Sequence, residues 1–133
     1  MAQERLLTIT AISLFTEDVA ASKKFYTETF QVPVINEDPE SFCIKLNNVL
    51  INVVLSEAAE KDFVGLGNVA PPGTGKRSAL SIWVDDIAAE MTKLESRGVK
   101  FVSGPEDKPW GLRVALFEDP SGHTWEIAQS ISK

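Results

Sequence analysis

Cysteine and histidine are almost missing from this chain, with Cys43 and His123 standing alone among 133 residues. A single cysteine excludes an internal disulfide and agrees with a reducing compartment. A single histidine leaves little for a metal site built on imidazoles. Basic residues are also short, 13 Lys and Arg against 19 Asp and Glu, and the net charge of -6 is opposite to a nucleic-acid footprint and favours neutral or cationic ligands. No apolar run approaches the roughly 20 residues needed to cross a bilayer, so neither a nucleic acid nor a membrane is expected as a partner. The opening MAQERLLTIT carries charge and lacks an apolar stretch followed by a small-residue cleavage site, which makes the cytoplasm the expected location.

What is present is an ordinary globular composition, 44% hydrophobic and 24% charged. One folding unit over residues 1–133 is expected, because two independent halves of about 65 residues would each struggle to bury a core. Sliding the sequence against itself by 68 residues lays AISLFTEDVAA, from Ala11, over ALSIWVDDIAA, from Ala79. Ser13 then meets Ser81, Phe15 meets Trp83 and Asp18 meets Asp86. Such a repeat points to one supersecondary unit used twice, neither copy burying its apolar face alone.

Each copy reads as strand, helix and three strands. In the first, about residues 7–56, the strand spans 8–15. Asp18 is a good N-cap for a helix with Val19, Phe25, Tyr26 and Phe30 at helical spacing. Pro33 ends the helix region, and strands are expected near 33–37, 41–46 and 49–55. In the second copy, about 78–130, a strand over 78–84 leads to a helix capped by Asp86, with Ile87, Met91 and Leu94 on one face and Gly98 at its C-terminal cap. Strands near 99–102, 111–118 and 123–129 follow, the last two joined by the turn Asp119-Pro-Ser-Gly122. Between the copies, residues 57–77 hold a short helix and the Gly/Pro-rich GNVAPPGTGKRS.

The segments FTEDVAASKKFYTETF, IWVDDIAAEMTKLESRGV and PWGLRVALFEDPSGHTWEI resemble, in that order, the two halves of the glyoxalase, bleomycin-resistance and extradiol dioxygenase superfamily, also called vicinal oxygen chelate. The resemblance covers nearly the whole chain and implies an α+β fold. Two tandem βαβββ modules would form a cupped mixed sheet around a cavity, with helices outside. Alternation along the first strands sends Thr10, Ile12, Leu14, Leu80, Ile82 and Val84 towards the helices. It leaves Ile9, Ala11, Ser13, Phe15, Ala79, Ser81 and Trp83 facing the cavity, with Asn52, Thr124 and Glu126 joining them from later strands. Small residues leave space and the aromatics supply walls, as a ligand pocket requires.

Metal-dependent relatives place His or carboxylate ligands on the first and last strands of each module. Carried over by position, those places hold Ala11, Asn52, Ala79 and Glu126. Alanine has no donor atom, and one carboxylate with one amide oxygen falls short of the three or four protein ligands that a divalent transition metal usually needs. No metal and no other cofactor is therefore expected, and the character is nearest to the metal-free bleomycin-resistance-like members. His123 belongs to a turn.

Other chemistry-bearing residues have plainer explanations. The acid pairs Glu17-Asp18 and Asp85-Asp86 stand at helix starts, where capping accounts for them. Pro72-Gly-Thr-Gly-Lys76 lacks the first glycine and the terminal Ser or Thr of a phosphate loop. Cys43, in a strand without a His nearby, reads as an inert thiol. Glu126 lies between Trp125 and Ile127 and points inward, where it can pair with Arg113 or meet a cationic ligand. Trp110 precedes the seventh strand at the expected cavity mouth.

The expected ligand set is Ser13, Phe15, Asn52, Ser81, Trp83, Trp110, Arg113 and Glu126. The expected function is sequestration of a planar aromatic or cationic small molecule, such as an antibiotic, by a metal-free homodimer. The alternative is a lyase or isomerase using Glu126 as general base or an atypical metal site.

Overall fold

The structure, a computed structural model, describes residues 5–132, so residues 1–4 of the opening segment lie outside it. The chain divides into two compact units, Met1–Val69 and Ala70–Lys133.

In unit one a short 3-10 turn, Arg5–Leu7, precedes β1 (Ala11–Thr16), α1 (Val19–Phe30), β2 (Val34–Asp38), β3 (Ser41–Lys45), β4 (Leu50–Leu55) and α2 (Ser56–Asp62). Its four strands run in the order β1-β4-β3-β2, with β1 parallel to β4 and the other pairs antiparallel. Unit two repeats this with β5 (Ala79–Trp83), α3 (Ile87–Ser96), β6 (Phe101–Lys108), β7 (Leu112–Glu118) and β8 (Thr124–Ser130), in the order β5-β8-β7-β6. These are the two βαβββ modules that the repeat predicts. Among the described residues, no helix is long and apolar enough to cross a membrane.

The strand-to-helix passages are built alike. Asp18 and Asp86 take extended backbone angles, φ/ψ of -142°/95° and -140°/98°. Each carboxylate accepts from the backbone N–H three residues on, Ala21 at 3.0 Å and Ala89 at 3.1 Å. Those donors have no intrahelical partner, so each cap satisfies a group the helix leaves free. Past α3, Gly98 at φ 93° closes the helix, its N–H donating to Glu95 O and that of Val99 to Leu94 O.

Each sheet buries one face beneath its helix. In unit one Leu14, Phe42, Ile44, Ile51 and Val53 pack with Tyr26 of α1. The Tyr26 ring stacks on Phe30 at 6.1 Å and tilts against Phe42 at 6.3 Å. In unit two Ile87 and Leu94 of α3 share the core with Ala115, Phe117, Trp125 and Ile127, where Phe117 stacks on Trp125 at 6.4 Å. Burial of each large apolar side chain stabilises by roughly 1.5–3 kcal/mol. The buried hydroxyls of Thr16 and Ser22 satisfy each other at 2.8 Å, as buried polar groups must.

Two features differ from the sequence expectation. The sixth strand runs to Lys108 rather than ending near 102, because the polar Ser-Gly-Pro-Glu-Asp-Lys stretch still pairs with β7 through register shifts. Such bulges admit Gly and Pro into an edge strand. The short helix of the 57–77 segment does not lie on the α1 side of its sheet. Ala58 and Ala59 of α2 pack on Val54, with Phe15, Leu55 and Val69 around them.

Candidate functional site

The faces turned away from α1 and α3 carry most of the candidate residues, and strand register fixes their neighbours. In unit two Ser81 stands opposite Glu126, which stands opposite Leu116. The next row is Trp83, Ala128 and Val114. Residues paired across strands share a face, so Ser81, Trp83 and Glu126 lie together as alternation predicts. The Ser81 hydroxyl donates to Glu126 Oε1 at 2.7 Å. That bond holds one carboxylate oxygen, and Oε2 makes no hydrogen bond to another described residue. Trp83, 67% exposed, offers a ring beside that carboxylate.

Unit one presents the same rows with different chemistry. Ser13 stands opposite Asn52, and Phe15 opposite Val54. Asn52 Nδ2 donates to Ser13 Oγ at 3.4 Å, a long counterpart of the Ser81–Glu126 bond. Phe15 lies on the expected face, but Phe63 approaches its ring at 5.8 Å and α2 covers it. It is thus a packed residue where its repeat partner Trp83 is open.

Trp110 is 69% exposed and sits in the β6–β7 turn, where Gly111 N donates to Lys108 O at 3.1 Å. This is the end of the sheet at which Trp83 stands. Arg113 is not brought to Glu126. It pairs with Asp107 across β6 and β7 and shares the face of Ala115 and Phe117, on the α3 side. Its Nε and an NH2 group donate to both Asp107 oxygens, at 2.6 and 3.2 Å. This fork holds the Asp107 carboxyl below the usual carboxylate range. His123 serves the β7–β8 turn, its Nδ1 lying 2.7 Å from Asp119 Oδ2. Asp119 Oδ1 accepts from the backbone of Ser121 and His123.

The donor set does not suit a divalent metal. Ala11 and Ala79 stand on the open faces opposite Leu50 and Thr124, with no ligating atom, and Glu126 is the one carboxylate of the four family positions. Among the described residues, no group of three or more His, Cys, Asp or Glu could hold a metal ion.

One set of residues escaped the sequence reading. Asn36 and Cys43 extend the Ser13–Asn52 row across β2 and β3, and they line a recess with Asp38 and Ser41. The mixed polar composition of β2 and β3 gave no signal for this, since only register sets these residues side by side. Partial burial raises the Cys43 thiol above its ordinary pKa.

Comparison with known proteins agrees with the architecture. An uncharacterized protein of Shewanella frigidimarina is 34% identical over 74 residues, 56% of this chain and 50% of that one. The match thus spans half the length of this relative. A crystal structure of a glyoxalase/bleomycin resistance protein/dioxygenase from Nocardioides superposes with a TM-score of 0.83, at 23% identity over 99% of this chain and 87% of that one. TnmS3, an antibiotic binding protein from Streptomyces sp. CB03234, superposes with a TM-score of 0.66, at 24% identity over 98% of each chain. At these identities the two structures speak for the fold. Residues 8–127 match the Glyoxalase/Bleomycin resistance protein/Dioxygenase superfamily, and with two βαβββ sheets in the order that family resemblance implies, the chain belongs to that superfamily.

Proposed function

We propose that this protein binds a planar aromatic or cationic small molecule and sequesters it without metal. The observation that carries the reading is the open face of unit two, where exposed Trp83 stands beside the Ser81–Glu126 pair. An aromatic face stacks planar groups and attracts cations, and a carboxylate beside it adds charge. The acidic balance of the chain, -6 overall, steers such ligands inward. That TnmS3 binds an antibiotic on the same fold supports the reading. In this view the chain is one folding unit, acts in the cytoplasm and forms homodimers. Light scattering that gives only the monomer mass of 14.6 kDa across a wide concentration range would remove the dimer.

Calorimetric titration with proflavine, a planar aromatic cation, tests the site. Trp83→Ala is expected to remove about 0.5–2 kcal/mol of stacking, a two- to thirty-fold loss of affinity. Glu126→Gln weakens binding further, by an amount that shrinks as salt screens the charge. Unchanged affinity in both variants overturns the assignment. Conversion of a bound compound, lost in Glu126→Gln, would replace it with the reading in which Glu126 is a general base.

A further inference from the structure

Ser13, Asn52, Cys43 and Asn36 form one row across unit one, a residue from each of β1, β4, β3 and β2. The corresponding row of unit two is Ser81, Glu126, Leu116 and Ser103. One row further, Val114 of β7 stands where unit one has Ser41 of β3. Leu116 and Val114 thus occupy in unit two the places that a thiol and a hydroxyl occupy in unit one. At those places unit one opens a recess of about 40 Å3. That exceeds the roughly 10–15 Å3 one water needs and is far below the roughly 300–1,000 Å3 of a complete ligand pocket. It admits a functional group, not a molecule.

The recess walls hold acceptors that the fold does not use. Asn52 directs its Nδ2 to Ser13, which leaves Oδ1. Asp38 Oδ1 accepts from Glu40 N at 2.8 Å, which leaves Oδ2. The Asn36 side chain makes no hydrogen bond to another described residue. Three oxygens, of Asn52, Asp38 and the Asn36 amide, are left to accept from N–H donors, and the Asp38 charge repels a carboxylate. We propose that this recess is a subsite for one N–H-bearing head group of a small ligand, either a primary ammonium or a carboxamide. The inference rests on the binding reading only for the face that meets the ligand.

Three probes of similar size test it at constant ionic strength: ethylammonium, propionamide and propionate. Side-chain amide resonances of Asn36 and Asn52 are expected to shift saturably with the first two, at dissociation constants of about 1–100 mM for so few atoms. Propionate is expected to leave them in place. Asp38→Asn reduces ethylammonium affinity about two- to fivefold, as loss of an exposed charge pair implies, and spares propionamide. Cys43, the sole cysteine, gives a second readout, because ethylammonium in the recess should slow its alkylation by iodoacetamide at fixed pH.

Absence of any saturable response to ethylammonium and propionamide, or an equal response to propionate, overturns the subsite. Trp83→Ala is expected to leave these titrations unchanged. A protein that binds proflavine through Trp83 yet ignores the small probes therefore refutes this inference alone. One that answers the small probes but not proflavine refutes only the earlier reading.

Discussion

The open faces of the two units share a plan and differ in what covers them. Ser13 and Ser81 hold the same position, and Asn52 donates a hydrogen bond to the first hydroxyl while Glu126 accepts one from the second. Phe15 and Trp83 also correspond, yet α2 and Phe63 shield the first while the second is 67% exposed. The repeat has kept the residues that turn strand into helix, where a lost cap leaves backbone donors unsatisfied. It has let the open faces diverge, one partly lidded with the Asn52 amide in its row, the other holding an exposed Trp83 beside the Glu126 carboxylate. Scaffold and site thus obey different constraints within one duplicated unit.

The largest expected effect tests whether the two units depend on each other for folding. Tyr26 is fully buried in unit one, and Tyr26→Ala should destabilise by about 3–5 kcal/mol, like other large-to-small aromatic substitutions in cores. All three tryptophans, Trp83, Trp110 and Trp125, belong to unit two, so their fluorescence reports on the other half of the chain. Denaturant unfolding followed by that signal should move to lower concentration in Tyr26→Ala with one transition. A tryptophan transition unmoved by the substitution would show two independently stable units.

How much of this was legible beforehand follows from which forces are local. The two helices with their caps at Asp18 and Asp86, and the Asp119-Pro-Ser-Gly122 turn, are fixed by side chains within a few residues of the backbone they serve. They stand as the sequence implies. Alternation likewise placed Ser13, Ser81, Trp83 and Glu126 on the open faces. Arg113 and Glu126 needed the register between β7 and β8, which periodicity within one strand does not contain. The register turns Arg113 to the α3 side. The shielding of Phe15 was out of reach for a similar reason, since α2 is a short helix whose N-cap residue Leu55 makes no side-chain bond. The Asn36–Cys43–Asn52 row was hidden because only pairing brings β2, β3 and β4 into line.

A smaller effect sharpens the comparison of the two strand-to-helix passages. Asp18→Ala and Asp86→Ala should each cost about 0.5–2 kcal/mol, the usual range for a lost N-cap. The passages are not wholly equivalent. Thr16 adds a hydroxyl that accepts from Asp18 N at 3.0 Å and bonds Ser22, whereas its repeat position holds Val84. Unit two instead secures the helix start through Gln129, whose side-chain oxygen accepts from Ile87 N at 2.9 Å. Thr16→Val should therefore make unit one more sensitive to loss of its cap, and Gln129→Leu should do the same for unit two. Thermal denaturation of the single and double variants measures both couplings, and strict additivity in either unit would break the parallel.

The smallest effect concerns the Asp107–Arg113 fork, on the face of unit two opposite the proposed site. The hydrogen bonds from Arg113 hold the Asp107 carboxyl below its ordinary range. A carboxylate depressed in the folded state contributes stability at pH values above its unfolded pKa of about 4, and that contribution disappears as pH falls through the folded value. Both side chains are substantially exposed, so water and salt screen the pair and the contribution is small. The melting temperature of Asp107→Asn should lie slightly below that of the parent at pH 7, and the gap should close in acid and narrow in high salt. An equal gap at pH 7 and in strong acid would mean that the substitution acts through the β6–β7 pairing and not through charge. Because the fork faces away from Trp83 and Glu126, Arg113→Ala should leave proflavine affinity unchanged, and a loss there comparable to that of Glu126→Gln would move the proposed site to the wrong side of the sheet.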